Sequence, residues 1–246
     1  MISLHLKSRG LALALAAGLL ALPTLTLATP TLYHVSLTTL NNSGVTGMAT
    51  LSLDNNMLTV HINASGLMPN MMHMQHIHGT FDSANKPSQA VLPTLAANDT
   101  NGDGVISVGE GAAAYGDILI DLSSPPGGGM NDFPTAPNGK IDFTQIYDLT
   151  MGNTFNAPYV KSDVFPLTFR EIVLHGLDVP IDLTDGGTMY KKGQYDPLLP
   201  VAAGVIQAGA LPVPEPSSIV VMLAGLGTML ALVGLGRRRK RHGMAC

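Results

Sequence analysis

The chain reads as an all-β, Greek-key sandwich or barrel interrupted by one long insertion. Three observations predict this class. Apolar and polar residues alternate in short runs, Asn, Asp, Gly and Pro turns separate those runs, and no long stretch carries helical periodicity. The runs are, in order, Tyr33–Leu40, Val45–Leu53, Met57–Ala64, Met71–His78, Asp117–Leu122, Lys140–Leu149, Phe165–His175 and Val201–Gln207. Asn41-Asn42-Ser43-Gly44 turns the first run back, and Asp54-Asn55-Asn56 joins the second to the third as a hairpin. Short strands at this spacing build sandwiches or barrels with Greek-key links.

The two ends lie outside this domain. Residues 1–28 hold a basic pair, Lys7 and Arg9, an apolar run from Leu11 to Leu22, and the small-residue site Thr26-Leu27-Ala28. That is the layout of a secretory signal peptide, and the run is short for an uncleaved anchor. Residues 213–246 hold Pro214-Glu215-Pro216, an apolar stretch from Ile219 to Leu235 and the cluster Arg237-Arg238-Arg239-Lys240-Arg241. Such a stretch can cross a bilayer core, and the basic cluster stays on the cytoplasmic side, so the body of the chain faces outward. Triplet, transmembrane segment and terminal cluster, in that order, resemble the PEP-CTERM sorting signal. The resemblance implies a Gram-negative bacterium that makes extracellular polysaccharide. It also implies removal of the ends by signal peptidase and an exosortase-type enzyme, membrane attachment through the tail before processing, and residence in the cell envelope or extracellular matrix.

Residues 29–212 form one domain by length. They carry six Lys and Arg against sixteen Asp and Glu, a net charge of −10 that the whole-chain value of −4 conceals. Phosphate contacts need Lys and Arg, so nucleic acid is excluded as a partner, whereas cations suit such a surface. The one cysteine is Cys246 in the tail, which excludes disulfides, thiolate metal sites and thiol chemistry from the domain.

The segment from about residue 80 to 116 breaks the strand rhythm, and long ordered insertions carry function. Within it, residues 99–110 match an EF-hand loop position by position. Asp99, Asn101 and Asp103 supply side-chain oxygens at positions 1, 3 and 5, and Gly104 allows the turn at 6. Val105 offers its carbonyl at 7, Ser107 acts at 9 through water, and Glu110 closes the Ca2+ site with two oxygens. Pro93 upstream and Gly109 and Gly111 downstream argue against flanking helices, so the loop reads as a structural clip. The alternative is a solvated acidic turn.

Eight histidines occur, and the cluster His73-Met74-Gln75-His76-Ile77-His78 is the most informative. Residues two apart on a strand share a face, so His76 and His78 can reach one metal while Ile77 points to the core. A His-x-His strand is a copper or zinc half-site. His175, after Ile172-Val173-Leu174 and before Gly176, is the candidate third ligand. The alternative is a polar face, or rings bonded only to backbone. Met68, Met71, Met72 and Met74 crowd the same region, as soft ligands for Cu(I) or as packing. His34 and His61 sit on predicted strands as ordinary core or edge residues.

Met57 to Pro69 followed by His73–His78 resembles the copper/zinc superoxide dismutase family, in which a strand, a Gly-Leu-x-Pro-like turn and a His-x-x-His-x-His strand follow one another. Arg170–His175 resembles its later copper strand. Asp185-Gly186-Gly187 and Ala202–Ile206 resemble the loop and final strand that follow. The N-terminal half also resembles the CHRD domain, a secreted β domain with a His-Ile-His-Gly signature. The resemblance implies a superoxide-dismutase-like sandwich, copper held by His76, His78 and His175, and a structural role for His73. The departures are specific. No histidine lies between His78 and His175, so no zinc subsite is expected. Ala203 replaces the family's second disulfide cysteine, and Pro200 stands where the family's anion-guiding arginine belongs. Two readings follow: a copper-only, superoxide-dismutase-like oxidoreductase, or a non-catalytic, calcium-stabilised matrix or surface protein. The histidine match favours the first. The negative domain and the missing arginine favour the second, because a negative surface repels an anionic substrate.

Overall fold

A computed structural model describes residues 29–211. The predicted signal peptide (1–28) and the tail from 213 to 246, with its predicted span and Pro214-Glu215-Pro216, lie outside the described residues. Among the described residues no helix is long and apolar enough to cross a membrane.

In chain order the strands are β1 (Thr31–Thr39), β2 (Thr46–Asp54), β3 (Met57–Ser65), β4 (Gln75–Phe81), β5 (Pro87–Ser88), β6 (Asp117–Asp121), β7 (Lys140–Asp148), β8 (Arg170–Asp178), β9 (Leu183–Asp185), β10 (Thr188–Tyr190), β11 (Tyr195–Val205) and β12 (Gln207–Ala208). Helices are short: α1 (Leu95–Asn98), α2 (Val108–Tyr115) and α3 (Lys161–Val164). The first three strands form the expected meander. Asp54 faces Met57 across a two-residue turn whose Asn55 has φ +54°, a left-handed conformation that asparagine tolerates. β7 pairs along the whole of β3 and completes one layer.

The second layer is β4, β8 and β11, with β6 and β5 on the outer side of β4. β1 bridges the layers. Thr31–Leu37 pair with β2, and Thr38 and Thr39 pair with Ala203 and Ala202 of β11. The chain crosses between layers after β3, β6 and β7, as Greek-key links require, while the small β9–β10 hairpin stands apart. β7 ends one side of the sheet order and β5 and β6 the other, so the sheet is open: a sandwich and not a closed barrel.

The core lies between the layers, where Val35, Leu51, Leu58, Val60 and Ile62 meet Ile77, Leu119, Ile120, Ile172, Leu174 and Val201. Each such buried side chain contributes about 1.5–3 kcal/mol by removal from water. Arg170, fully buried at the start of β8, fastens the edge of the second layer. Its guanidinium donates to the carbonyls of Val164, Thr80, Ser88 and Asp163 at 3.2, 3.1, 3.3 and 2.7 Å. A Cβ at Gly79 would lie 2.6 Å from Arg170 Nη1, which explains the glycine there.

Three predicted boundaries shift. β4 starts at Gln75, because the backbone of Met72 and His73 pairs instead with Thr135 and Pro134. β8 starts at Arg170, after a one-turn helix at Leu167–Phe169, and runs past His175 to Asp178. β11 starts at Tyr195 and carries bulges around Pro200. The expectation of little helix beside the acidic loop is corrected. α1 enters the loop and α2 leaves it, despite Gly109 and Gly111. Ser107 and Glu110 form a capping box that satisfies the free amides of the first turn. A Cβ at Gly111 would collide with the Tyr115 ring, so packing offsets the weak local propensity.

Candidate metal centre and acidic loop

The strand alternation of β4 sends Ile77 into the core and turns His76 and His78 to the opposite face of the second layer. β8 runs antiparallel beside β4, with Val173 opposite His76 and Glu171 opposite His78. His175 lies just beyond, its N–H bonded to Met74 O at 2.8 Å. Although they face away from the sandwich core, the three rings are only 3%, 2% and 2% exposed (His76, His78, His175), because loops and α2 cover them. One nitrogen from each ring lies within 4.8 Å of the other two. A tetrahedral or trigonal ion at about 2.0–2.1 Å from each needs roughly 3.3–3.6 Å between nitrogens, a spacing inside that bound.

The outer nitrogen of each ring is engaged. His78 Nδ1 faces Gly116 O at 3.0 Å, His175 Nδ1 faces Leu198 O at 2.5 Å, and His76 Nε2 faces Asp121 Oδ1 at 3.5 Å. Protons on these atoms leave lone pairs on His78 Nε2, His175 Nε2 and His76 Nδ1. These three inward nitrogens are fully buried and have no hydrogen-bond partner. Outer-shell partners that fix tautomer and ring orientation are how proteins prepare histidine ligands. Burial is also the first cause holding the rings neutral, lowering His78 to about 3 and His175 to about 4, and taking His76 well below the ordinary value. Neutral imidazole is the form that binds metal. The donor set therefore fits a nitrogen-preferring transition metal such as copper or zinc.

Phe133 packs edge-on against His76 at 5.2 Å, and Tyr115 of α2 packs against His78 at 4.7 Å. Together with the Leu198 segment they close the centre from solvent. Pro200 pairs with His175 across the β8–β11 ladder, so no charged side chain stands at that ladder position. His73 lies against the backbone on both sides of its ring. Its ring nitrogens face the carbonyls of His175 and Met68 at 2.9 and 3.0 Å, and Tyr195, whose hydroxyl donates to Met72 O, packs beside it. His34 on β1 faces Gly209 O, and His61 on β3 pairs with exposed Asp142, both away from the centre.

Glu171 was not singled out in the sequence. It is fully buried, both oxygens lack a partner, and burial pushes its carboxyl up to about 8. The signal that could have found it is an acidic residue inside the apolar run before His175, on the same strand face four residues away. Its place opposite His78 depends on the β4–β8 register.

The acidic loop is held by its own side chains. Asp99 accepts from the amides of Gly102, Asp103 and Gly104, Asn101 accepts from Asp103, and Asp103 accepts from Val105. Gly104, at φ +84°, makes the sharp turn. Val105 is buried against Val179, Leu183 and Leu199. Glu110 spends one oxygen on Thr100 and Asn101 and the other on Ser107. Partial burial opposes its ionisation, but these hydrogen bonds outweigh it and bring the carboxyl down to about 2. The donor set is hard oxygen from side chains and one carbonyl, which suits calcium.

An open all-β sandwich followed by a sorting tail defines the general class of this chain. Residues 33–147 match the CHRD domain, and residues 212–240 match the PEP-CTERM protein-sorting motif. The CHRD match takes in nearly all of β1 and β7, the whole of β2 to β6, the acidic loop and two of the three histidines; His175 lies beyond the matched residues. The sorting motif marks a protein exported to the cell envelope or extracellular space of a Gram-negative bacterium and implies processing by an exosortase-type enzyme. No curated protein matches the chain.

Proposed function

We propose that this exported surface protein is a closed metal-binding module: one transition-metal ion, copper by preference, at His76, His78 and His175, and calcium in the loop of Asp99, Asn101, Asp103, Val105, Ser107 and Glu110. The observation that carries the reading is the trio of buried, unpartnered imidazole nitrogens converging on one point. A buried polar atom without a partner costs about 1–3 kcal/mol, and an ion at that point relieves three such costs together. Copper is favoured over zinc by its higher place in the affinity order for nitrogen ligands. Bound copper supplies one-electron chemistry. This chain's residues orient the rings through Gly116, Leu198 and Asp121 and exclude water with Phe133 and Tyr115.

That closure supports a structural or metal-holding role over turnover. A superoxide dismutase needs an anion to reach the metal, yet the rings are sealed, Pro200 carries no charge and the domain bears −10. The dismutase reading keeps one support, the order of the histidine motifs along the chain. Metal analysis of the mature protein after copper and zinc competition tests the proposal. One tightly held copper per chain, with dismutation far below that of an efficient enzyme, is the expected result. Failure to retain any transition metal refutes the centre, and fast dismutation favours the oxidoreductase.

A further inference from the structure

We infer that cation binding in the acidic loop and metal binding at the three histidines are energetically coupled through α2 and its tertiary ties. The inference rests on the two-site reading above and adds that neither site sets its affinity alone.

The first tie is covalent. Ser107 and Glu110, loop positions 9 and 12, are the N-cap and first turn of α2. At the other end of the same helix, Tyr115 packs on the His78 ring and the Gly116 carbonyl faces His78 Nδ1. That end is pressed onto β4, since a Cβ on Gly116 would collide with Gly79 O. A shift in the first turn of this two-turn helix is therefore delivered to a ligand ring.

The second tie runs to His175. The buried Asn41 side chain accepts from Ile106 N at 2.7 Å and donates to Ile106 O at 2.9 Å and Pro200 O at 3.0 Å. Pro200 is the β11 partner of His175. Asp185 accepts from Val108 N at 2.8 Å, and Val105 packs on Leu199, next to the Leu198 carbonyl that orients His175. His76 stands outside this linkage, because Asp121 of β6 positions it. Two of the three ligands thus take their orientation from groups fastened to the exit half of the loop.

The element with two arrangements is the Glu110 carboxylate. It now bonds Ser107, Thr100 and Asn101. As the closing calcium ligand it would turn both oxygens to the ion and exchange those hydrogen bonds for ion contacts, moving the first turn of α2. Coupling needs such a physical element that both sites bias, and linkage makes the effect reciprocal.

The test uses the mature protein and two metals. Cu(II) affinity is measured by calorimetry without calcium and at saturating calcium, and Ca2+ affinity is measured with and without copper. Each ion is expected to change the other's affinity by the same factor, about 5-fold or more. Calcium should also shift the visible absorption of bound Cu(II), because the His78 ring turns. Glu110→Gln should raise the calcium concentration that half-completes this shift by about tenfold or more, and Asn41→Ala should shrink the coupling factor. If both ions bind with independent affinities and an unchanged Cu(II) spectrum, the coupling is wrong while the two-site reading stands. If the chain binds no copper, both fall.

Discussion

The histidine centre and the acidic loop are built in opposite ways. The centre draws its ligands from β4 and β8, far apart in sequence, and leaves three buried nitrogens without partners. The loop draws its ligands from one contiguous stretch, and its oxygens are already bonded to its own amides. In the centre, strand packing has met the cost of burying polar atoms before any ion arrives. In the loop, carboxylates that are exposed or only partly buried meet little of that cost, and an ion must compete with hydrogen bonds already made. A preorganised buried centre should hold its ion tightly, and a self-bonded exposed loop more weakly.

The largest expected effect separates the regions by deletion. His175→Ala or His76→Ala should take copper retention from one ion per chain to none in elemental analysis after dialysis, since two ligands remain. Neither substitution removes a calcium ligand, so stabilisation by calcium should persist. Retention of copper by both variants would place the metal elsewhere.

Acid should distinguish the regions next. In chelated protein, His76, His78 and His175 are neutral when folded but protonate near 6.5 when unfolded. With folded values of about 3 for His78 and about 4 for His175, the unfolded chain binds more protons in the window between. The centre's contribution is present above about pH 6.5 and is lost as pH falls from there towards 4. Glu110, lowered to about 2, contributes above its unfolded value near 4.5 and loses that contribution as pH falls through about 2. Denaturant melts of the chelated protein should therefore weaken first across the histidine window, and copper should raise stability throughout that window without removing its slope, because the folded rings are unprotonated there either way. An unchanged midpoint between pH 7 and 5 would count against neutral buried histidines.

Glu171 gives a third contrast within the centre. Its folded value of about 8 lies above its unfolded value, so its contribution is present below about pH 4.5 and lost as pH rises through 8. Glu171→Gln keeps the shape and removes the ionisation. It should melt higher than the parent at pH 8 and nearly the same at pH 4.5 in chelated protein. Equal melting at pH 8 would mean the carboxylate has a partner in solution.

The smallest effect belongs to the loop. Calcium at about 100 times its Kd should add about 2.7 kcal/mol to stability. Glu110→Gln should remove most of that gain at the same concentration. Calcium titrations followed by thermal melting measure it, and no response in the parent would leave the loop a turn.

Much of this was legible in the chain. The Asp54-Asn55-Asn56 hairpin, the period-2 pairing of His76 and His78, and the twelve-residue loop are relations between near neighbours. α2 was hidden, because Gly109 and Gly111 lower local propensity while the Tyr115 packing that offsets them involves the tertiary fold. Its capping box, Ser107 to Glu110, was the available signal. Glu171 was hidden for a different reason: its neighbour His78 is set by the β4–β8 register.

By itself the sequence determined the strand pattern, the outward sorting signal and the two sets of candidate ligands, because periodicity, turn chemistry and motif spacing are local properties. Tertiary structure alone decided that the sheet stays open, that His175 meets His76 and His78, and that Phe133 and Tyr115 seal them. Those outcomes depend on register and on which surfaces cover which. They are set by long-range packing of apolar area and the pairing of buried polar groups, which no short stretch of chain contains.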